Sequence, residues 1–169
     1  MKVTTLTTKP LWRTLLIDAA LAGAVCLIPW MHLYAPWAVA LNPMLFLLLA
    51  GMLLVPGRGN AFFLALLLPA FSALVVGMPT PMKAISMAAE FSAVVSVYSL
   101  MATKCQGSTR MFLAILLAML AGKVVYYALK ALLIAPAVLV GTEWWMQLAS
   151  MLLWGGLFAV VITKLKSKN

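Results

Sequence analysis

Long apolar runs alternate along the chain with short polar or proline-rich breaks, and these breaks delimit the expected elements. The first run extends from Leu11 to about Met31, after Lys2, Lys9 and Arg13, with Pro29 and Pro36 at its exit. The second covers Trp37–Val55, but Asn42-Pro43 breaks its start. Its uninterrupted part, Met44–Val55, is only about 18 Å long as a helix. Pro56-Gly-Arg-Gly-Asn60 reads as a tight turn before a third run, Ala61–Val76. Gly77-Met-Pro-Thr-Pro81 is a stiff loop, because each proline restricts itself and the residue before it. The fourth run is Met82–Ala102, followed by a polar loop, Thr103–Arg110. The fifth runs from Met111 to about Ile134 and ends at Pro136 and Gly141. The sixth is Trp144–Ile162, with a tail holding Lys164, Lys166 and Lys168. A membrane helix needs roughly 20 apolar residues, so the pattern predicts six transmembrane helices in one domain, 1–169. The first run has the look of a signal peptide with Ala22-Gly-Ala24 as cleavage site. It continues through Val25, Leu27 and Ile28, however, and Asp18 interrupts its core. It is therefore expected to be a retained helix.

Composition agrees with this pattern. Hydrophobic residues make up 66% of the 169 and charged residues 9%, whereas soluble domains sit near 45–50% apolar. A soluble globule of this size cannot hide that much apolar surface. The expected class is an all-α, polytopic membrane protein. The net charge is +9. Its basic residues fall mostly between apolar runs and not in an aromatic-studded cluster, so no nucleic acid is expected as a partner. They set an orientation instead. With the N-terminus in the cytoplasm, the inner segments hold Lys2, Lys9, Arg13, Arg58, Lys104, Arg110, Lys164, Lys166 and Lys168, and the outer loops hold Lys83 alone. The positive-inside rule thus places both termini in the cytoplasm. Trp12, Trp37, Trp144 and Trp145 fall near span ends, where interfacial tryptophans belong.

Catalytic chemistry finds little support. A single aspartate excludes an aspartyl dyad, and no Ser/His pair shares a depth. No glycine-rich loop leads into Lys-Ser/Thr, so no nucleotide site of that kind is expected. His32 is the only histidine, and no Cys/His cluster suggests a metal. Cys26 and Cys105 belong to a span and a cytoplasmic loop, so no disulfide is expected. The chain is expected to be neither an enzyme nor a cofactor protein.

Ionisable residues at membrane depth are costly and are functional candidates. There are four: Asp18, Glu90, Lys123 and Lys130. Glu90 is roughly 13 Å below the outer loop and Lys123 roughly 20 Å from the inner side, counted at helical rise. At a shared depth they should pair, share a ligand, or both. Lys83, Ser86 and Glu90 form one helical face on the fourth span. Lys123, Tyr126 or Tyr127, and Lys130 do so on the fifth, and Glu143, Gln147, Ser150 and Trp154 on the sixth. Together the three stripes suggest a pocket open to the outside, although Lys83 and Glu143 alone would suit an interface. His32 reads as a solvated interfacial histidine. Asp18 is expected to pair with Arg13 or with a lysine. Ala20 and Ala24, like Ala19 and Gly23, form small-xxx-small pairs that permit close helix approach. By spacing alone, packing within the chain is the simpler account of them.

Several segments together resemble the substrate-binding S components of energy-coupling factor (ECF) vitamin transporters. They are Ala20-Leu-Ala-Gly-Ala24, Asn42-Pro43, Leu49-Ala-Gly51, Gly77-Met-Pro79 followed by Glu90, and Ala121-Gly-Lys-Val-Val-Tyr126. The Ala-Gly-Lys segment is similar to a frequent Ala-Gly-Arg of that family; lysine lacks the planar fork of arginine. The resemblance implies a multi-pass protein of a prokaryotic plasma (inner) membrane. It would bind a small water-soluble micronutrient and hand it to a membrane coupling protein with two cytoplasmic ATPase subunits. The pocket would be built from spans four to six and the loops after spans one and three. That adds Asn42, Met78 and Pro79 to Lys83, Ser86, Glu90, Lys123, Tyr126, Tyr127, Lys130, Trp144 and Gln147. The Gly-Met-Pro loop would cover the ligand. Ala20 and Ala24 would dock on the coupling protein. The mild positive excess suits a carboxylate or phosphate, and pantothenate-like molecules are one such class. The alternative is a non-transporting scaffold, since rod-shape membrane proteins of the MreD type resemble this helix arrangement.

Overall fold

The computed structural model describes residues 11–35, 37, 41–102, 108–133 and 144–167. All regular structure among them is helical: α1 (Leu11–Val25), α2 (Ile28–Tyr34), α3 (Pro43–Leu54), α4 (Arg58–Phe71), α5 (Pro81–Ala102), α6 (Ser108–Leu133) and α7 (Trp144–Ser167). A π-helical turn, Ser72–Val76, prolongs α4. Counting α1 with α2 and α4 with its π turn, five helices among the described residues are long and apolar enough to cross a membrane. Between 22 and 39% of their most apolar windows is buried inside the bundle. The rest is an apolar exterior, with Leu15, Leu66, Leu117 and Leu152 all exposed. Such an exterior fits hydrocarbon and not water. The protein is therefore an all-α, polytopic membrane protein.

The elements differ from the sequence pattern where backbone chemistry intervenes. The first span is broken after Val25. Pro29 has no N–H to bond the carbonyl of Val25, four residues back. The chain closes instead with tighter bonds, Cys26 N–H to the Gly23 carbonyl and Leu27 N–H to the Ala24 carbonyl, before restarting as α2. The second span is shorter than Trp37–Val55. Asn42 caps α3 from the left-handed region (φ 53°), accepting a hydrogen bond from Leu45 N, and Pro43 takes the first helical position. The resulting 12 residues reach about 18 Å, short of the roughly 30 Å of a bilayer core. The turn before the third span is confined to Pro56-Gly57, and helix α4 already includes Arg58, Gly59 and Asn60. Within α4, Pro69 leaves the carbonyl of Ala65 without its usual partner, and the π turn follows three residues later. Gly77, at φ +74°, ends that turn in a conformation that suits glycine.

Helix α5 packs most extensively on α6, and also on α4; α6 packs on α7, and α1 lies against α3 and α4. Fewer contacts join α3 to α7. Lipid is as apolar as leucine, so close packing and polar contacts, not burial alone, hold such helices together. The core reflects this, with Leu45, Leu48, Leu64, Phe91, Val95, Ile115 and Met119 almost fully enclosed. At the end holding Arg13 and Arg58, two polar contacts join elements. The Arg58 guanidinium donates to the Ser99 carbonyl at 3.0 Å. Asn60 Nδ2 donates to Asp18 Oδ1 at 3.1 Å. Asp18 is thus partnered by a neutral amide 42 positions away, in place of the expected Arg13 or lysine. It is 3% exposed, and a buried acid needs such a donor.

Candidate functional site

The bundle holds an open cavity of about 430 Å³ at the end opposite Arg13 and Arg58, within the range of small-molecule pockets. Each wall follows from helical spacing. On α5, Lys83, Met87 and Glu90 recur at i, i+4 and i+7, and on α6, Lys123 and Tyr126 are one turn apart. Helix α7 contributes Gln147 and Ser150, and α2 contributes Ile28, Pro29 and His32. The remaining wall comes from Asn42, Pro43 and Met44 at the start of α3, Ser72 and Val76 of the π turn, and Met78, Pro79 and Thr80. Ser72 Oγ donates a hydrogen bond to the Met78 carbonyl. That bond ties the loop to the end of α4. The Met78–Pro79 peptide is cis.

The charged centre of the wall is an ion pair, Lys123 Nζ to Glu90 Oε1 at 2.6 Å. The two side chains differ in exposure, 14% for lysine and 2% for glutamate. Gly122 lets α5 and α6 meet at this depth. A Cβ there would lie 2.9 Å from the Glu90 carbonyl oxygen and 2.5 Å from Val94 Cγ2. The backbone oxygen cannot give way as a flexible side chain could. Lys123 Nζ also lies 5.4 Å from the centre of the Tyr126 ring, and Lys130 Nζ lies 5.9 Å from the same ring and 6.0 Å from that of Tyr127. These are cation–π distances.

Helix α7 is fastened to the residue before Asn42. Ser150 Oγ donates to the Leu41 carbonyl at 2.8 Å, and Trp154 Nε1 donates to the same oxygen. Phe46 of α3 stacks obliquely on Trp154, with 4.7 Å between ring centres. One turn before Ser150, Gln147 Oε1 is buried with no hydrogen-bond partner among the described residues. Leaving such an acceptor unsatisfied costs about 1–3 kcal/mol. Among the described residues, no three His, Cys, Asp or Glu side chains gather as a metal-ligand set.

Of the residues singled out from the sequence, Asn42, Met78, Pro79, Lys83, Glu90, Lys123, Tyr126 and Gln147 meet at the cavity wall. His32 and Ser150 join them. Three do not. Ser86 is turned back onto its own helix, donating to the Met82 carbonyl at 3.1 Å. Tyr127 is buried edge-on against Tyr126, and Lys130 lies by the two tyrosine rings. Glu143 and the Trp144 side chain lie outside the described residues. Ala20 is exposed and Ala24 partly so, and nothing approaches within 4 Å of a Cβ placed on Gly23. Ala20 and Gly23 therefore form open surface on α1, not the packing within the chain that spacing alone suggested. Sequence reasoning missed the apolar wall, notably Met44, Val76 and Met87. Of the missed polar residues, Ser72 carried one available signal, a hydroxyl near the end of an apolar run beside the loop. Comparison with known proteins adds no relative: no family model, no curated protein and no solved structure matches the chain.

Proposed function

We propose that this protein is a membrane-embedded binding subunit for a small water-soluble organic molecule, taken up from the outside through the cavity. The observation that carries this reading is a cavity of about 430 Å³ with a buried Glu90–Lys123 pair in its wall. A void lined by charged and amide groups at membrane depth is costly unless something polar occupies it. Under the positive-inside assignment, both termini are cytoplasmic and the cavity opens to the exterior. The ligand class that fits is a vitamin or related micronutrient. The protein itself offers no nucleotide motif, so energy would come from a partner. The resemblance to ECF S components supplies that partner, a membrane coupling protein with two ATPases, and the open alanine face of α1 at Ala20 and Ala24 offers a docking place. The rod-shape scaffold gains nothing from such a cavity and ranks second.

The test is native mass spectrometry of the full chain released from detergent. A discrete small-molecule adduct is expected, reversible on dialysis. Protein that carries no adduct, and that binds no micronutrient from a soluble panel, would contradict the reading. Co-purification of an ATPase pair from native membranes would support the coupling, and capture of cell-shape proteins in its place would favour the scaffold.

A further inference from the structure

We propose that α2 is held by the bilayer interface at the cavity end of the bundle. Trp30, Leu33 and Tyr34 enter the headgroup–acyl boundary, and this lipid contact keeps the opposite face of α2 at the cavity. The proposal rests on the binding reading only in treating the cavity as the ligand space.

The two faces of α2 carry opposite roles. At helical spacing Ile28, Pro29 and His32 share one side, and all three line the cavity. Trp30, Leu33 and Tyr34 fall on the other side and are 61, 76 and 75% exposed. The Trp30 and Tyr34 rings stack, with 6.2 Å between centres and 7° between planes. Trp37, just beyond the helix, is exposed as well.

Packing within the protein does not account for the position of α2. None of its seven residues is buried. Ile28 alone packs against the core, and α2 makes no extensive contact with any other described helix. It is also set off from α1 by the break after Val25, where the Cys26 and Leu27 N–H groups bond the Gly23 and Ala24 carbonyls. A helix of seven residues does not persist alone in water. Its exposed face needs support from outside the bundle.

Depth and chemistry identify that support. Trp12 is exposed near the start of α1. Trp12 and Trp30 are about 27 Å apart at helical rise, close to the roughly 30 Å of a hydrocarbon core. With Trp12 at one boundary, Trp30 and Tyr34 arrive at the other. Indole and phenol each join an apolar ring to a polar N–H or O–H, which suits the level where hydrocarbon gives way to headgroups. Leu27, one turn before Trp30, is exposed too, so this face continues the apolar exterior of the bundle.

The test uses nitroxide labels on the full chain in vesicles of phosphatidylcholine and phosphatidylglycerol. One label at position 33 (Leu33→Cys, with Cys26→Ser and Cys105→Ser) should lie about 5–10 Å into the headgroup–acyl boundary, read from its collisions with oxygen and with a water-soluble nickel chelate. A label pair at positions 32 and 117 (His32→Cys, Leu117→Cys) should show one narrow distance. That narrow distance should be lost when Trp30→Gln, Leu33→Gln and Tyr34→Gln are combined, with helix content retained by circular dichroism because α2 buries no residue. A position-33 label as open to the chelate as one in bulk water overturns the inference. So does one shielded from both relaxants, which would mark a second copy or another protein on this face. A narrow distance kept in the triple variant, or a triple variant that unfolds, would mean that packing within the protein and not lipid holds α2. None of these readouts needs a ligand. A protein that binds nothing would overturn the binding reading and leave the anchored helix standing, and the failures above leave the binding reading standing.

Discussion

Two carboxylic acids are buried among the described residues, and their surroundings differ. Asp18 lies where α1 meets α4, is 3% exposed, and among the described residues accepts a hydrogen bond from the neutral Asn60 amide. Glu90 lies where α5 meets α6, is 2% exposed, and is paired with a lysine that opens onto a cavity. Burial is the same, so burial does not tell a structural acid from a candidate site. What separates the two is the charge of the partner and the presence of a void beside it. The Asp18 contact joins two helices at the end away from the cavity. The Glu90 contact joins two helices and also presents an ammonium to an accessible space.

The largest effect that would break this contrast is removal of a charge partner. Lys123→Met leaves Glu90 buried and alone, and should destabilise the protein by about 3–5 kcal/mol, read as a lowered melting temperature in detergent. Adding Glu90→Gln should recover most of that loss, as expected of a coupled pair. A Lys123→Met protein that melts like the unaltered chain would mean the pair is not an energetic unit. Gly122→Ala comes next. Its Cβ would press on the Glu90 backbone oxygen, so α5 and α6 must separate, at a cost of about 1–3 kcal/mol. Ligand affinity should fall with it, because the pair loses its geometry. Asp18→Asn is expected to be the mildest, about 1 kcal/mol or less, since an amide oxygen still accepts from Asn60. Binding should be unaffected, and a loss of affinity there would erase the distinction between the two acids.

How far these features could be read in advance follows from what apolar patterning encodes. The bounds of α5 and α6 follow the runs to within three residues, because length and hydropathy alone decide whether a segment suits a bilayer, whereas α7 starts with its run but continues five residues past Ile162 into the expected tail. The pairing of Glu90 with Lys123 was legible for a related reason. Two opposite charges at one depth have few other partners, and helical rise gives the depth. The Asn60 partner of Asp18 was not legible, because a neutral amide in a polar turn carries no charge signal and lies 42 residues away. Helical-face counting overreached at Ser86 and Lys130. Positions three, four and seven apart share a broad face, and only part of that face meets the cavity. The wall residues Met44, Val76 and Met87 were invisible for a deeper reason. An apolar side chain looks alike in sequence whether it meets lipid, core or a void. Pro69 also passed unnoticed inside its run, although its missing N–H is followed by the π turn that carries Ser72 to the cavity.

The most direct test of the central claim is to fill the void and ask whether a bound molecule is lost. Native mass spectra of the unaltered chain, of Met87→Trp at the cavity wall, and of Leu117→Trp on the exposed exterior provide the comparison. The account predicts a small-molecule adduct on the unaltered and Leu117→Trp proteins and none on Met87→Trp, with all three folded by circular dichroism. An adduct that survives in Met87→Trp, or that is missing from the unaltered protein, would contradict it.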